Sequence, residues 1–196
     1  MANEIIPRWE WRAFGDAFGG TDNPFAEYQS SGTQDSDEIY FLSPASSENV
    51  KVRDSLLDIK KFQLANADGL EQWKPVLKHG FPLPVAEITS MFGLLGTPTP
   101  ALKREQYTLE QLIGEVITPV QGLRVVKVHK TRTRYSVEGC MAESARVAAD
   151  GKTTRTIALE LEDAGKVIGA VRKLGLESYG NISYPNGLKR LVGMTG

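Results

Sequence analysis

At 196 residues and 41 % apolar composition, the chain is long enough to bury an ordinary core as one domain and does not read as disordered. Its 23 Lys+Arg nearly cancel its 24 Asp+Glu, which excludes a global field drawing it to duplex nucleic acid or an anionic membrane. A lone cysteine, Cys140, and two histidines, His79 and His129, exclude an internal disulfide and the usual soft zinc frameworks, so a bound metal would be a hard ion held by carboxylates.

No segment joins a basic start to an apolar run long enough for a signal peptide or membrane span, so a cytoplasmic protein is expected. The opening run Arg8-Trp9-Glu10-Trp11-Arg12-Ala13-Phe14 alternates charged and apolar residues. At a two-residue period this is a strand with Arg8, Glu10 and Arg12 on one face. The Gly-, Asp-, Asn- and Ser-rich stretch over 15–36 has no periodicity and reads as a long loop.

Three strands of a meander follow, Glu38 to Leu42, Asn49 to Asp54 and Leu56 to Phe62. In the last two, Val50 and Val52 oppose Lys51 and Arg53, while Leu57 and Ile59 oppose Asp58 and Lys60. Helical spacing replaces strand spacing over Pro84 to Leu95, and Gly96 with Thr97-Pro98-Thr99-Pro100 ends it. Thr108, with Gln111 three residues on, opens a second helix, so the region around 84–117 reads as a helical insert.

Strand character returns from Leu123 to Glu138, where Lys130, Arg132, Arg134, Ser136 and Glu138 share a face. Met141 to Val147 and Thr153 to Glu162 form a hairpin around Asp150-Gly151. Asp163 caps a helix carrying Val167, Ile168, Val171 and Leu174 on one stripe and stopped by Gly175, and the tail ends in a turn and a short helix.

A strand with one charged face ordinarily presents it to water. Here separate strands carry Arg12, Lys51, Arg53, Lys60, Lys130, Arg132 and Arg134 on alternating faces. Turned inward in a closed barrel, these cations would repel one another unless an anion filled the space, and a triphosphate suits them in charge and oxygen count. Mg²⁺ or Mn²⁺ beside such phosphates needs carboxylates, and Glu160 with Glu162 supplies two on one strand. Cys140 has no base in sequence reach, His129 lies opposite Lys130 and Arg132, and Trp9, Trp11 and Trp73 read as core or lid anchors.

In their order, these charged strands resemble the CYTH family, the triphosphate tunnel metalloenzymes. The resemblance spans nearly the whole chain and rests on Val50-Lys51-Val52-Arg53 with Leu57-Asp58-Ile59-Lys60, on Lys130-Thr131-Arg132, and on the ending Thr156 to Asp163. Leu174-Gly175-Leu176 and Asn181-Ile182-Ser183-Tyr184 add to it. It implies an α+β fold, a closed eight-stranded antiparallel barrel with peripheral helices, in one domain over 1–196.

The resemblance further implies that Arg12, Lys51, Arg53, Lys60, Lys130, Arg132 and Arg134 bind a triphosphate or polyphosphate small molecule. Glu160 and Glu162 match the family's metal-binding Glu-x-Glu; Glu10 and Glu143 join them as metal ligands, and Glu10, Lys60 and Arg132 are the catalytic candidates. The implied activity is Mg²⁺- or Mn²⁺-dependent hydrolysis of a triphosphate; a non-catalytic polyphosphate- or nucleotide-binding module and a class IV-type adenylate cyclase are the alternatives. Where the family carries Glu-x-Glu-x-Lys, this chain has Arg8-Trp9-Glu10-Trp11-Arg12. The exchange raises local charge by about two units and is expected to weaken divalent-metal affinity. Oligomeric state stays open, a homodimer included.

Overall fold

The computed structural model describes residues 6–21 and 23–194. β1 (Arg8–Gly15), β2 (Ser30–Leu42), β3 (Asn49–Arg53), β4 (Leu56–Ala65) and β5 (Glu71–Gly80) come first. A short two-strand pair, β6 (Leu83–Pro84) and β7 (Gln106–Tyr107), brackets α1 (Val85–Leu94). After it come α2 (Leu109–Gln111), which runs on as a π-helical turn over Leu112–Ile117, then β8 (Arg124–Val137), β9 (Cys140–Ala149), β10 (Lys152–Leu161), α3 (Ala164–Lys173) and α4 (Tyr184–Val192).

Eight of the strands close a barrel in the order β1-β10-β9-β8-β2-β3-β4-β5, every pairing antiparallel, with β5 returning to β1. This is the α+β barrel with peripheral helices that the family resemblance implies. None of the described helices is long and apolar enough to cross a membrane.

The barrel is built inside out. Val50 and Val52 of β3, with Leu57 and Ile59 of β4, point outward and are buried against Ile88, Met91 and Phe92 of α1 and Leu112, Val116 and Ile117 of the π-helical turn. On the opposite side, Trp11, Ala13, Ile157 and Leu159 bury their outward faces against Val167, Ala170 and Val171 of α3. Apolar area removed from water stabilises by roughly 25 cal/mol per Å² wherever it is buried, so the helices give each strand its core on the outer side and leave the inner side free for charge.

Capping fixes where those helices begin. Thr108 Oγ1 accepts from the Gln111 N–H at 3.3 Å while Gln111 Oε1 accepts from the Thr108 N–H at 3.0 Å, closing a capping box. Asp163 Oδ1 accepts from the Lys166 N–H at 3.2 Å at the start of α3. The β9–β10 hairpin turns through Asp150 and Gly151, whose φ angles of 50° and 73° are the left-handed pair that a two-residue turn of this kind requires.

One end of the barrel is filled from within. Tyr184, Leu188 and Val192 of α4 pack on Tyr40, Leu42, Val126, Val128, Val147 and Ala149, which point into the barrel. The chain leading into α4 is tied to β1: the Arg12 N–H donates to Asn181 Oδ1 at 2.7 Å, and the Ile182 N–H donates to the Arg12 carbonyl at 2.9 Å. Gly187 lies so close to Phe14 that a Cβ there would come within 2.2 Å of Phe14 Cε2, which allows α4 to seat this deeply.

Two segments depart from the sequence reading. Within the stretch expected to be loop over 15–36, β2 already begins at Ser30 and pairs with Arg132 to Tyr135 of β8. Both faces of that ribbon are largely exposed and polar, so it carries no apolar alternation to detect. β5 was not anticipated at all; Pro75 interrupts its pattern and sits where the β4–β5 register shifts, a bulge that tolerates proline.

Candidate functional site: a cationic lumen

The open part of the barrel encloses about 450 Å³, lined by charged side chains from β1, β3, β4, β8, β9 and β10. Period-two geometry explains why. Once Val50, Val52, Leu57 and Ile59 turn outward, Lys51, Arg53, Asp58 and Lys60 must turn inward. Arg12, Lys51, Arg53, Lys60, Lys130, Arg132 and Arg134 all line this space, together with Glu10, Glu143 and Glu160.

Glu162 does not join them. β10 ends at Leu161, and past that point the strand's alternation no longer directs side chains; Glu162 is exposed beside the α3 cap. Asp58 lines the lumen, and the buried Glu38 stands beside it. Neither was singled out from sequence, although Asp58 shares a strand face with Lys60 and Glu38 alternates with Ile39. Asn49, Tyr40 and Tyr184 were also missed as lining residues. Tyr184 comes from the far end of the chain, and only the three-dimensional insertion of α4 brings it here.

Deepest in the lumen, Tyr40 and Tyr184 stack with ring centroids 5.1 Å apart. Above the Tyr184 ring sit Lys130 Nζ, at 4.8 Å from the centroid, and Arg12 Cζ, at 5.1 Å, where the negative face of the ring favours a cation. Tyr40 donates its hydroxyl to Glu38 Oε2 at 2.7 Å, and Lys51 Nζ lies 3.4 Å from the same oxygen.

A second group centres on Glu143, which accepts from Arg12 Nη1 and Lys130 Nζ, each at 3.0 Å, with Arg132 Nη1 at 3.6 Å from its other oxygen. Arg12 Nε donates to Glu10 Oε1 at 2.8 Å. Nearer the mouth, Glu160 lies 3.2 Å from Arg8 Nη1 and 3.7 Å from Lys60 Nζ. Arg53 Nη1 stands 3.8 Å from Glu38 and its Nη2 4.0 Å from Asp58.

Burial and charge compete at each group. Burial alone would raise the Glu143 carboxyl, but Lys130 and Arg12 outweigh it and hold it well below the usual carboxylate range. Glu10 is lowered in the same way, burial being overcome by Arg12 and Lys60. Burial pushes Lys51 down to about 8 despite the attraction of Glu38, and lowers Lys130 against the pull of Glu143. The two carboxylates are thus fully compensated by their neighbours, whereas the two lysines carry a desolvation penalty that their neighbours offset only in part.

Counting the lining side chains, seven cations face four carboxylates. Arg132 Nε is buried with no hydrogen-bond partner. A buried donor left unpaired costs on the order of 1–3 kcal/mol. An anion entering the lumen would supply both the missing charge and the missing acceptor.

A divalent cation finds a less suitable donor set. Mg²⁺ or Mn²⁺ needs several oxygen ligands around one point. Among the described residues no three His, Cys, Asp or Glu side chains are arranged to hold a metal ion. The lumen carboxylates are instead each engaged by arginine or lysine, and as they stand they do not fit such an ion.

No protein-family model matches the chain, and no curated protein matches it. Solved structures do match. One is a candidate adenylate cyclase from Bacillus halodurans, with a TM-score of 0.53 at 11 % identity over 95 % of this chain and 98 % of that one. A conserved hypothetical protein from Pyrococcus furiosus gives 0.50 at 15 % identity, covering 91 % of this chain and 98 % of the other. A Pyrococcus horikoshii protein also gives 0.50, at 17 % identity over 96 % and 99 %. At such identities the likeness is one of fold.

Proposed function

We propose, taking as premise that the chain has the fold of the CYTH or triphosphate tunnel family, that it binds the phosphate chain of a triphosphate- or polyphosphate-bearing small molecule inside the barrel. The observation that carries this reading is the imbalance of the lining, seven cations against four carboxylates around about 450 Å³. Arginine forks and lysine point charges in a partly enclosed lumen are suited to phosphate oxygens, and their excess charge is compensated only when an anion is present. The deep end is filled by α4, so the chain enters from the mouth lined by Arg134, Met141 and Ser31.

Titration calorimetry with tripolyphosphate, ATP, pyrophosphate and orthophosphate tests the reading. Affinity should climb steeply with the number of phosphates, and Arg132→Ala should weaken it about tenfold or more. Equal, weak binding of all four anions would refute it.

Hydrolysis of the bound phosphoanhydride is the second reading, favoured by the placement of Glu10, Glu160 and Glu143 on adjacent strands of the lining wall. In it, Lys60 and Arg132 neutralise charge developing on the transferred phosphoryl group, and Glu10 is the candidate base for the attacking water. If Mg²⁺ or Mn²⁺ takes part, those three carboxylates would hold it, and they would first have to part from Arg8, Arg12, Lys60 and Lys130. Phosphate release from tripolyphosphate that Glu10→Gln abolishes supports this reading; binding without release leaves the tunnel a binding module.

A further inference from the structure

β1 and β10 set Glu10 directly opposite Glu160, and Glu143 of β9 pairs with Ala158, one inward-facing position further along β10. Three carboxylates on neighbouring strands are the donor chemistry of a hard divalent ion, yet in this chain other cations already stand between them. Arg12, only 6 % exposed, places Nε at 2.8 Å from Glu10 and Nη1 at 3.0 Å from Glu143. One guanidinium thus bridges the two carboxylates as a bridging ion would. Arg8 Nη1 reaches Glu160 Oε1 at 3.2 Å, and Lys60 Nζ stands 3.7 Å from the second oxygen.

We propose that Arg8 and Arg12 act as fixed cations in place of a divalent ion, so that this tunnel takes up a phosphate chain without Mg²⁺ or Mn²⁺. The proposal rests on the phosphate-binding reading above. Three physical points support it. A guanidinium stays charged at any working pH and needs no free ion to be recruited. Arg12 is anchored from behind, its N–H on Asn181 Oδ1 at 2.7 Å and its carbonyl receiving the Ile182 N–H, so its position is preset rather than acquired with the ligand. The same guanidinium donates to Glu10 Oε1 at 2.8 Å and to Glu143 Oε1 at 3.0 Å, so a free ion would have to displace it from two carboxylates at once.

Divalent ions in solution would then act on the wrong partner. They complex the free phosphate chain and reduce its charge, so they compete with the tunnel rather than assist it.

The test uses the full chain in two assays. In calorimetry with tripolyphosphate, affinity in chelator should equal or exceed affinity in millimolar Mg²⁺; a rise of about tenfold or more on adding Mg²⁺ would overturn the proposal. In manganese electron paramagnetic resonance without phosphate, the wild-type chain should leave the free-ion signal unchanged. Arg8→Glu alters a side chain that is 45 % exposed, so folding should survive, and it adds a carboxylate beside Glu160. That variant should take up Mn²⁺ and lose about tenfold or more in chelator-buffered affinity for tripolyphosphate, with Mn²⁺ restoring it. Failure of tripolyphosphate to bind in any buffer would sink the phosphate reading and with it the phosphate uptake proposed here, while the manganese assay would still decide the arginine substitution: uptake by Arg8→Glu but not by wild type upholds Arg8 and Arg12 as stand-ins for the ion. Uptake by wild type that Glu160→Gln removes, or uptake by neither chain, overturns the proposal.

Discussion

Glu143→Gln should make the protein less stable and a better anion binder at once. The carboxylate meets three cations, Arg12 and Lys130 at 3.0 Å and Arg132 at 3.6 Å. Removing one partner of a buried ion pair costs about 3–5 kcal/mol, and the amide oxygen of glutamine keeps a hydrogen bond worth about 1 kcal/mol, so a net loss of about 2–4 kcal/mol is expected. A phosphate about 6 Å from the vanished charge loses a repulsion of about 2–3 kcal/mol per unit charge at an effective dielectric of about 20. Rearrangement of the freed cations takes back part of it, leaving a gain of roughly tenfold in tripolyphosphate affinity. Urea unfolding reads the first effect and calorimetry the second. Because the folded-state carboxyl lies well below its unfolded value of about 4.3, its stabilisation is present at neutral pH and lost as pH falls through the folded value, so the wild type and the variant should converge in acid. A variant that loses stability and affinity together, or changes neither, would refute the idea that Glu143 holds surplus cations in check.

Lys51, pushed down to about 8, should make phosphate affinity fall as pH rises through that value, and Lys51→Arg should flatten the profile in calorimetry. Its stability effect has the opposite sign: the unfolded chain keeps the proton up to about 10.4, so the contribution of Lys51 to stability rises between about 8 and about 10, a difference that Lys51→Met should remove from urea unfolding curves. Gly187→Ala forces a Cβ to within 2.2 Å of Phe14 Cε2 and should cost about 1–3 kcal/mol by overpacking, with Phe14→Leu recovering part of it; an unchanged melting temperature would mean that α4 is not seated on β1. Arg132→Lys removes the unpartnered Nε and the fork while keeping the charge, so unfolding should change by less than about 1 kcal/mol while tripolyphosphate affinity falls about tenfold.

Much of the barrel was legible because alternation is a local property. Val50 and Val52 against Lys51 and Arg53 announce a two-faced strand from five residues, and Asp150-Gly151 announces its hairpin from two. What alternation does not encode is which face turns inward, since a solvated sheet carries the same pattern. Closure came from the family resemblance that the order of the charged strands carries. The exposed half of β2 offers no contrast between its faces, and Pro75 breaks the pattern of β5, so both escaped. Within the site, the cations stood out as runs on strand faces. Glu38 and Tyr184 did not, because their place in the lumen depends on Tyr40 stacking and on α4 entering the barrel from the far end of the chain.

The inside-out plan also explains why the charged lumen does not unfold the protein. In an ordinary small barrel the interior is the core, and seven inward cations would cost more than burial returns. Here the outer faces of β1, β3, β4 and β10 have their own cores beneath α1, the π-helical turn and α3, while α4 fills the deep end with apolar side chains. The lumen can therefore remain electrostatically unfinished, its pairs partly compensated and Arg132 Nε unsatisfied, without drawing on the contacts that hold the wall together. Binding an anion to the native state alone would then raise the unfolding free energy by RT ln(1 + [L]/Kd). The stability that the charges withhold from the empty barrel thus becomes binding energy for a ligand of the right charge.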